Sequence, residues 1–144
     1  MSAYRVGWGE WDEHSQATVS TVDDLDTVLD RVAASRDEDG YGYKAGIFAD
    51  GATFGPFPVG IEITLGHPDR ASVLYTGPEG VGIGYDPALP PWENGPLWFN
   101  YNGVPTDYVA DRLRLTPTQA RDAVREFVQT GKRPTNIEWD DDEE

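Results

Sequence analysis

Apolar residues recur along this chain with two different periods, and the switch between them outlines the fold. Leu25, Val28, Leu29 and Val32 stand at i, i+3, i+4 and i+7, which places all four on one face of a helix. Thr21 offers an N-cap. Asp23, Asp24 and Asp26 fall in the first turn, where the positive end of the helix dipole favours carboxylates. A second helix is announced by Thr116-Pro117-Thr118-Gln119: a capping threonine, proline at the first helical position, and glutamine completing a capping box. Its apolar face is Ala120, Ala123, Val124, Phe127 and Val128, and Gly131 suits the left-handed residue that ends a helix.

Between the helices the period becomes two. Val59, Ile61, Ile63 and Leu65 alternate with Glu62 and Thr64, so one face of that strand is apolar and the other polar. Short β-rich runs are predicted at Tyr43–Ala49, Val59–Leu65, Ser72–Tyr75, Val81–Tyr85 and Leu97–Tyr101. Turn residues join them at Asp50-Gly51, Gly66-His67-Pro68-Asp69 and Gly77-Pro78-Glu79-Gly80. These links are too short for crossover helices, so sequence neighbours pair antiparallel. Tyr4–Trp8 and Gln16–Val19 are further strands around the acidic turn Glu10-Trp11-Asp12-Glu13-His14, and Ile137-Glu138-Trp139 is a last one. Asp37-Glu38-Asp39-Gly40 reads as an exposed loop. Pro87, Pro90, Pro91 and Pro96 make Asp86–Pro96 a loop that displays Trp92 and Glu93.

The expected architecture is a single α+β domain over residues 1–139, an antiparallel sheet of five to seven strands with both helices packed on one face. One face suffices because each helix has a single apolar stripe and the sheet a single apolar side. Asp140-Asp141-Asp142-Glu143-Glu144 is expected to be a disordered acidic tail.

Charge narrows the range of partners. The 144 residues include 26 acidic and 11 basic side chains, a formal net charge of −15. Nucleic acid and anionic membranes are repelled, whereas a basic protein is attracted over roughly 8–10 Å before salt screens it. The absence of cysteine excludes disulfides, thiol catalysis and Cys-ligated metals, and suits a reducing cytoplasm. No apolar signal region follows Met1, and no run of 18 apolar residues occurs, so neither export nor a membrane span is expected.

Candidate chemistry is thin. His14 beside Asp12 and Glu13 invites a general-base or metal reading, but His67 is the only other histidine and sits in a turn. Gly80-Val81-Gly82-Ile83-Gly84 lies within a strand with no helix after it, unlike a phosphate loop. No serine elbow or His-Glu-x-x-His site is present. Catalytic residues, metal and cofactor are therefore all expected to be absent. The competing readings are an enzyme using carboxylate acid–base chemistry and a ligand-binding or scaffold domain whose acidity only solubilises it.

The stretch from Tyr85 to Asp107 is the more promising surface. It gathers Tyr85, Asp86, Trp92, Glu93, Trp98, Tyr101 and Asp107 among prolines and glycines. Aromatic anchors dominate binding energy, and a proline-stiffened loop loses less entropy on docking. Trp92 and Glu93 are placed at the centre. Trp98 and Tyr101 are open to two readings, as binding residues or as sheet residues facing the core. The turn around Trp8, Glu10 and Trp11 is a second candidate surface.

Several segments together resemble a known family. They are the second helix, the Thr-Gly-Lys-Arg-Pro turn at 130–134, the Ile137-Glu138-Trp139 strand, the helix opening Val22-Asp23-Asp24-Leu25-Asp26, and Trp98-Phe99-Asn100-Tyr101-Asn102-Gly103. In order and spacing they are similar to the first-numbered immunity family of bacterial polymorphic toxin systems. That resemblance implies an α+β fold, no catalysis and a cognate toxin as partner. The toxins of the family are often nucleic-acid-acting domains of the deaminase superfamily. The family's Glu and Trp motif falls on Glu138 and Trp139, which become candidate partner-binding residues; alternatively Trp139 packs in the core. The resemblance assigns no role to the acidic tail.

Overall fold

The computed structural model describes residues 2–10, 14–49 and 59–141, with His14 represented by its backbone alone. The turn residues Trp11, Asp12 and Glu13, the Asp50-Gly51 turn and the last three acids therefore lie outside the described residues. Seven strands form one continuous antiparallel path. In chain order they are β1 (Tyr4–Gly9), β2 (His14–Val19), β3 (Gly42–Ala49), β4 (Gly60–Thr64), β5 (Val73–Gly77) and β6 (Gly80–Tyr85), with β9 (Glu138–Asp141) at the end of the chain. Their spatial order is β2-β1-β3-β4-β5-β6-β9.

Registry across the path explains the core. Val6, Ile47, Ile61 and Tyr75 stand directly opposite one another on successive strands, so their side chains share one face. Against that face pack α1 (Val22–Ala34) and α2 (Pro117–Thr130), through Leu25, Val28, Leu29 and Val32 of the first helix and Ala120, Ala123, Val124, Phe127 and Val128 of the second. Both stripes are the ones that the spacing predicts. Thr21 caps α1 by accepting from the Asp24 amide. Thr116 and Gln119 form the reciprocal capping box of α2, and Gly131 closes it at φ 71°. Arg125 of α2 reaches Asp26 of α1, and Arg121 reaches Asp30, which stitches the two helices together along their outer edge.

The sheet is larger than expected. Two further strands, β7 (Leu97–Tyr101) and β8 (Val104–Tyr108), form a hairpin that branches from β3. The β3–β7 pairing is parallel, through Gly42↔Phe99 and Tyr43↔Asn100 only, so the antiparallel rule holds for chain neighbours but not for this distant pair. A long intervening chain allows the strand to return in either direction. Asn102 and Gly103, both at positive φ (51° and 89°), make the tight turn between β7 and β8. Phe99 and Tyr108, with Leu113 from the short 3-10 turn Ala110–Arg112, build a second small core beneath the hairpin.

The domain boundary at Trp139 needs correction. Asp140 and Asp141 are strand residues, opposite Ile83 and Gly82, and they pair with Arg114 and Arg133. Space on β6 permits this: a Cβ at Gly84 would stand 2.4 Å from Ile137, and one at Gly82 3.4 Å from the Trp139 ring. Truncation after Trp139 is expected to lower the unfolding free energy by about 1–2 kcal/mol, the worth of two exposed ion pairs and a shortened strand ladder. Truncation after Asp141 should leave a urea midpoint unchanged, and the difference between the two midpoints is the check.

Candidate partner-binding site

The β7–β8 hairpin has two unlike faces because side chains alternate along each strand. Leu97, Phe99 and Tyr108 point inward to the small core. Trp98 and Asp107, directly opposite each other, point outward with Pro105 and Val109. At the tip, Tyr101 lies over the sheet with its ring 4.5 Å from the Lys44 ammonium. Lys44 is also 3.1 Å from Glu62. Burial alone would depress its pKa, yet Glu62 together with the Tyr108 and Tyr101 hydroxyls raises it, so this cation stays charged and pins the hairpin to the sheet.

The outer face is held by a polar lock. Asn100 is buried; its Nδ2 donates to Asp37 Oδ2 (2.9 Å) and its Oδ1 accepts from the Gly103 amide (2.7 Å). Asp37 Oδ1 accepts in turn from the amides of Asp39 and Tyr41, which fixes the loop after α1 against β7. Tyr41 then stacks beside Trp98, rings 6.2 Å apart and 24° from parallel. Replacing Asn100 with alanine removes both bonds and is expected to cost about 1–3 kcal/mol of stability. Faster hydrogen exchange at the Gly103 amide, with α2 amides unaffected, would locate the loss in the hairpin.

Exposure singles out this element. Trp98 (42%), Tyr101 (44%), Val104 (61%) and Val109 (52%) are the exposed large apolar residues among the described ones, and all four lie in the hairpin or one residue past it. Glu38, Asp39, Asp107 and Asp111 are exposed around it and make no ion pair with any described residue. By strand alternation Trp98 and Val109 share the face of Asp107, and Tyr101 and Val104 share the other, so exposed apolar side chains flank the hairpin on both sides. Exposed apolar residues concentrated in one element and rimmed by charge suit a protein-binding surface.

The predicted site residues separate into three groups. Trp98, Tyr101 and Asp107 belong to the hairpin. Tyr85, Glu138 and Trp139 lie at the β6–β9 edge: Tyr85 opposite Glu138, with the Arg114 guanidinium 4.0 Å over its ring. Trp139 is half-buried against the main core, its indole donating to the Pro134 carbonyl (2.8 Å) and its ring beside Tyr75. Asp86 accepts from Gln119 and from the Ala88 amide, bonds that hold its pKa down and tie β6 to α2. Trp92 is the third group, and it is half-buried where the sequence suggests a displayed ring. The ring is half-buried against the small core, edge-on to His67 (5.3 Å) and under the Arg70 guanidinium (5.3 Å). Residues far off in sequence supply that cover, so the flanking prolines misled. Glu93 next to it is exposed. Tyr41, Asp37 and Asn100 were not anticipated as site residues.

His67 anchors the turn under Trp92, its Nδ1 accepting from the amides of Asp69 (3.1 Å) and Arg70 (3.2 Å). Burial first, then the Arg70 charge, lowers its pKa from the usual 6.5, against an opposing pull from Asp69. The unfolded chain therefore binds this proton more readily, and stability falls as pH drops below about 6.5. His67→Asn keeps an acceptor without the titration. It is expected to flatten the pH dependence of the unfolding midpoint just below 6.5, and an unchanged slope would contradict the assignment.

Two hollows bear on an enzymatic reading. One, lined by Lys44, Glu62, Ser72, Leu74, Ile83 and Tyr108, holds about 20 Å³, room for one water. The other is an open cleft of about 380 Å³ whose Asp26, Asp30, Arg121 and Arg125 are engaged in the ion pairs between the helices. Among the described residues no three of His, Asp and Glu gather as a metal site, and no helix is long and apolar enough to cross a membrane.

Residues 13–141, from the start of β2 to the end of β9, match the family described as Immunity protein Imm1. The chain belongs to that family. No curated protein matches it. As an Imm1 protein it acts as an immunity protein with a cognate toxin as its partner, a role that requires binding. The hairpin, its polar lock and the loop at 37–41 all lie inside the matched span.

Proposed function

We propose that this Imm1 protein neutralises a basic, nucleic-acid-acting toxin, of the deaminase superfamily, by covering its active-site or nucleic-acid-binding surface with an acidic, aromatic-rich face. The observation that carries the reading is the concentration of exposed Trp98, Tyr101, Val104 and Val109 in one hairpin, beside carboxylates that pair with no described residue, on a chain of net charge −15. Apolar anchors supply binding energy and the carboxylates select a cationic surface. A toxin that grips phosphates presents such a surface, and carboxylates stand in for the phosphates. The deaminase class follows from the family resemblance, and the cytoplasm is where such a toxin meets its nucleic acid. Tyr85, Glu93, Glu138 and Asp86 are proposed as peripheral contributors.

Co-expression with the cognate toxin tests the reading. Cells should survive with both proteins and die with the toxin alone. In purified form, double-stranded DNA should compete with the immunity protein for the toxin. A complex that protects cells yet binds DNA undiminished would show that inhibition does not cover the nucleic-acid surface.

A further inference from the structure

Aromatic rings in this protein are repeatedly occupied by its own cations. Arg31 lies over Trp8 (5.2 Å), Arg70 over Trp92 (5.3 Å), Arg133 over Trp139 (5.7 Å), Arg114 over Tyr85 (4.0 Å) and Lys44 over Tyr101 (4.5 Å). Of the tryptophans in the described residues, Trp98 alone has no internal cation, and it is the exposed one. Its neighbours supply what a cation requires. Tyr41 backs the ring, and Asp107 stands directly opposite on β8, where facing side chains come within about 4.5–5.5 Å. Among the described residues the Asp107 side chain has no ion-pair or hydrogen-bond partner. Arg36, next to Asp37 in the chain, is already engaged, its guanidinium donating to the carbonyls of Ala33, Ser35 and Gly66.

We infer that Trp98, Tyr41 and Asp107 form a receptor for one arginine side chain of the partner protein. A guanidinium is planar and weakly hydrated, so it stacks on an indole while its edge donates two parallel hydrogen bonds to a carboxylate. A lysine ammonium pairs with the carboxylate but gains less from the ring, because it stays strongly hydrated. The polar lock between Asn100 and Asp37 holds Tyr41 and Trp98 in place before the arginine arrives, which reduces the ordering cost of binding. The inference rests on the reading of the partner as a basic, phosphate-gripping protein, and it specifies the side chain that this acidic face receives.

The test uses the full chain and two blocked peptides of equal charge, hexa-arginine and hexa-lysine, at low ionic strength. Amide and indole NMR signals are followed, with the Trp98 indole assigned from Trp98→Leu. Hexa-arginine should shift the Trp98 indole and the Asp107 amide and saturate at a concentration about three-fold or more below hexa-lysine, the ratio expected for an exposed cation–π contact. Trp98→Leu should abolish that ratio, and Asp107→Asn should weaken hexa-arginine more than hexa-lysine. Equal affinities of the two peptides for the wild-type chain, or shifts elsewhere with the Trp98 indole unmoved, would overturn the receptor. That failure leaves protection against the cognate toxin intact, whereas loss of protection would sink the immunity mechanism without altering the peptide preference.

Discussion

Phe127→Ala is expected to lower the unfolding free energy by about 3–5 kcal/mol, the largest single loss foreseen in this protein. Phe127 is the central contact of α2: 1% exposed, edge-on to Tyr4 of β1 (5.5 Å) and to Tyr75 of β5 (6.1 Å). Those two strands lie on opposite sides of β3 and β4, so one ring spans the breadth of the main core. Its removal leaves a cavity between helix and sheet that backbone segments fixed by five strand pairings cannot close. Denaturant unfolding of the purified variant checks the figure. Since net stabilities of single domains are about 5–15 kcal/mol, a loss of this size brings the chain near its limit at 37 °C.

Trp98→Ala is expected to cost about 2 kcal/mol or more in toxin affinity, roughly 30-fold, while changing the unfolding free energy by less than about 1 kcal/mol. The asymmetry follows from placement. Trp98 stacks beside Tyr41 and is 42% exposed, outside both core clusters, so folding gains less from it than from a core ring, whereas a docked partner would bury the rest. Trp92→Ala should do the reverse, since its ring fills the space between His67, Arg70 and the small core. Measuring both variants by titration against the toxin and by urea unfolding separates an anchor from a packing residue. If Trp92→Ala loses affinity and Trp98→Ala does not, the loop at 86–96 is the partner surface after all.

The elements governed by local chemistry were legible in the chain. Thr21, Thr116, Pro117, Gln119 and Gly131 fix both helices through hydrogen bonds and backbone angles within a few residues. The alternation of Ile61, Ile63 and Leu65 likewise locates β4 and its buried side. β8 escaped because Val104–Tyr108 contains Pro105 and is largely exposed, so it lacks the alternation of a half-buried strand. The signal that reveals it is Asn102-Gly103, the residue pair suited to a tight hairpin turn.

The site was legible in composition but not in arrangement. Trp92 and Trp98 sit among similar prolines, glycines and acids, and nothing local distinguishes them. What separates them is distant: His67 and Arg70 come to cover Trp92, while Asp37, 63 residues from Asn100, orients the loop beside Trp98. Asp37-Glu38-Asp39-Gly40 reads from sequence as a solvated turn, yet Asp37 alone accepts from Asp39, Tyr41 and Asn100 and sets the face of the hairpin. Trp139 shows the converse. The family motif draws attention to it, but its ring packs on Tyr75 and its indole is satisfied by Pro134, so its first duty is to hold β9 in the sheet.

Hydrogen exchange of the free protein and of its complex with the cognate toxin tests the proposed surface most directly. Binding should slow exchange at residues 97–109 and 37–41, with α1 and α2 unchanged. Slowed exchange confined to the β6–β9 edge, around Tyr85 and Glu138, or to the outer surfaces of the two helices, would contradict the placement of the toxin on the hairpin.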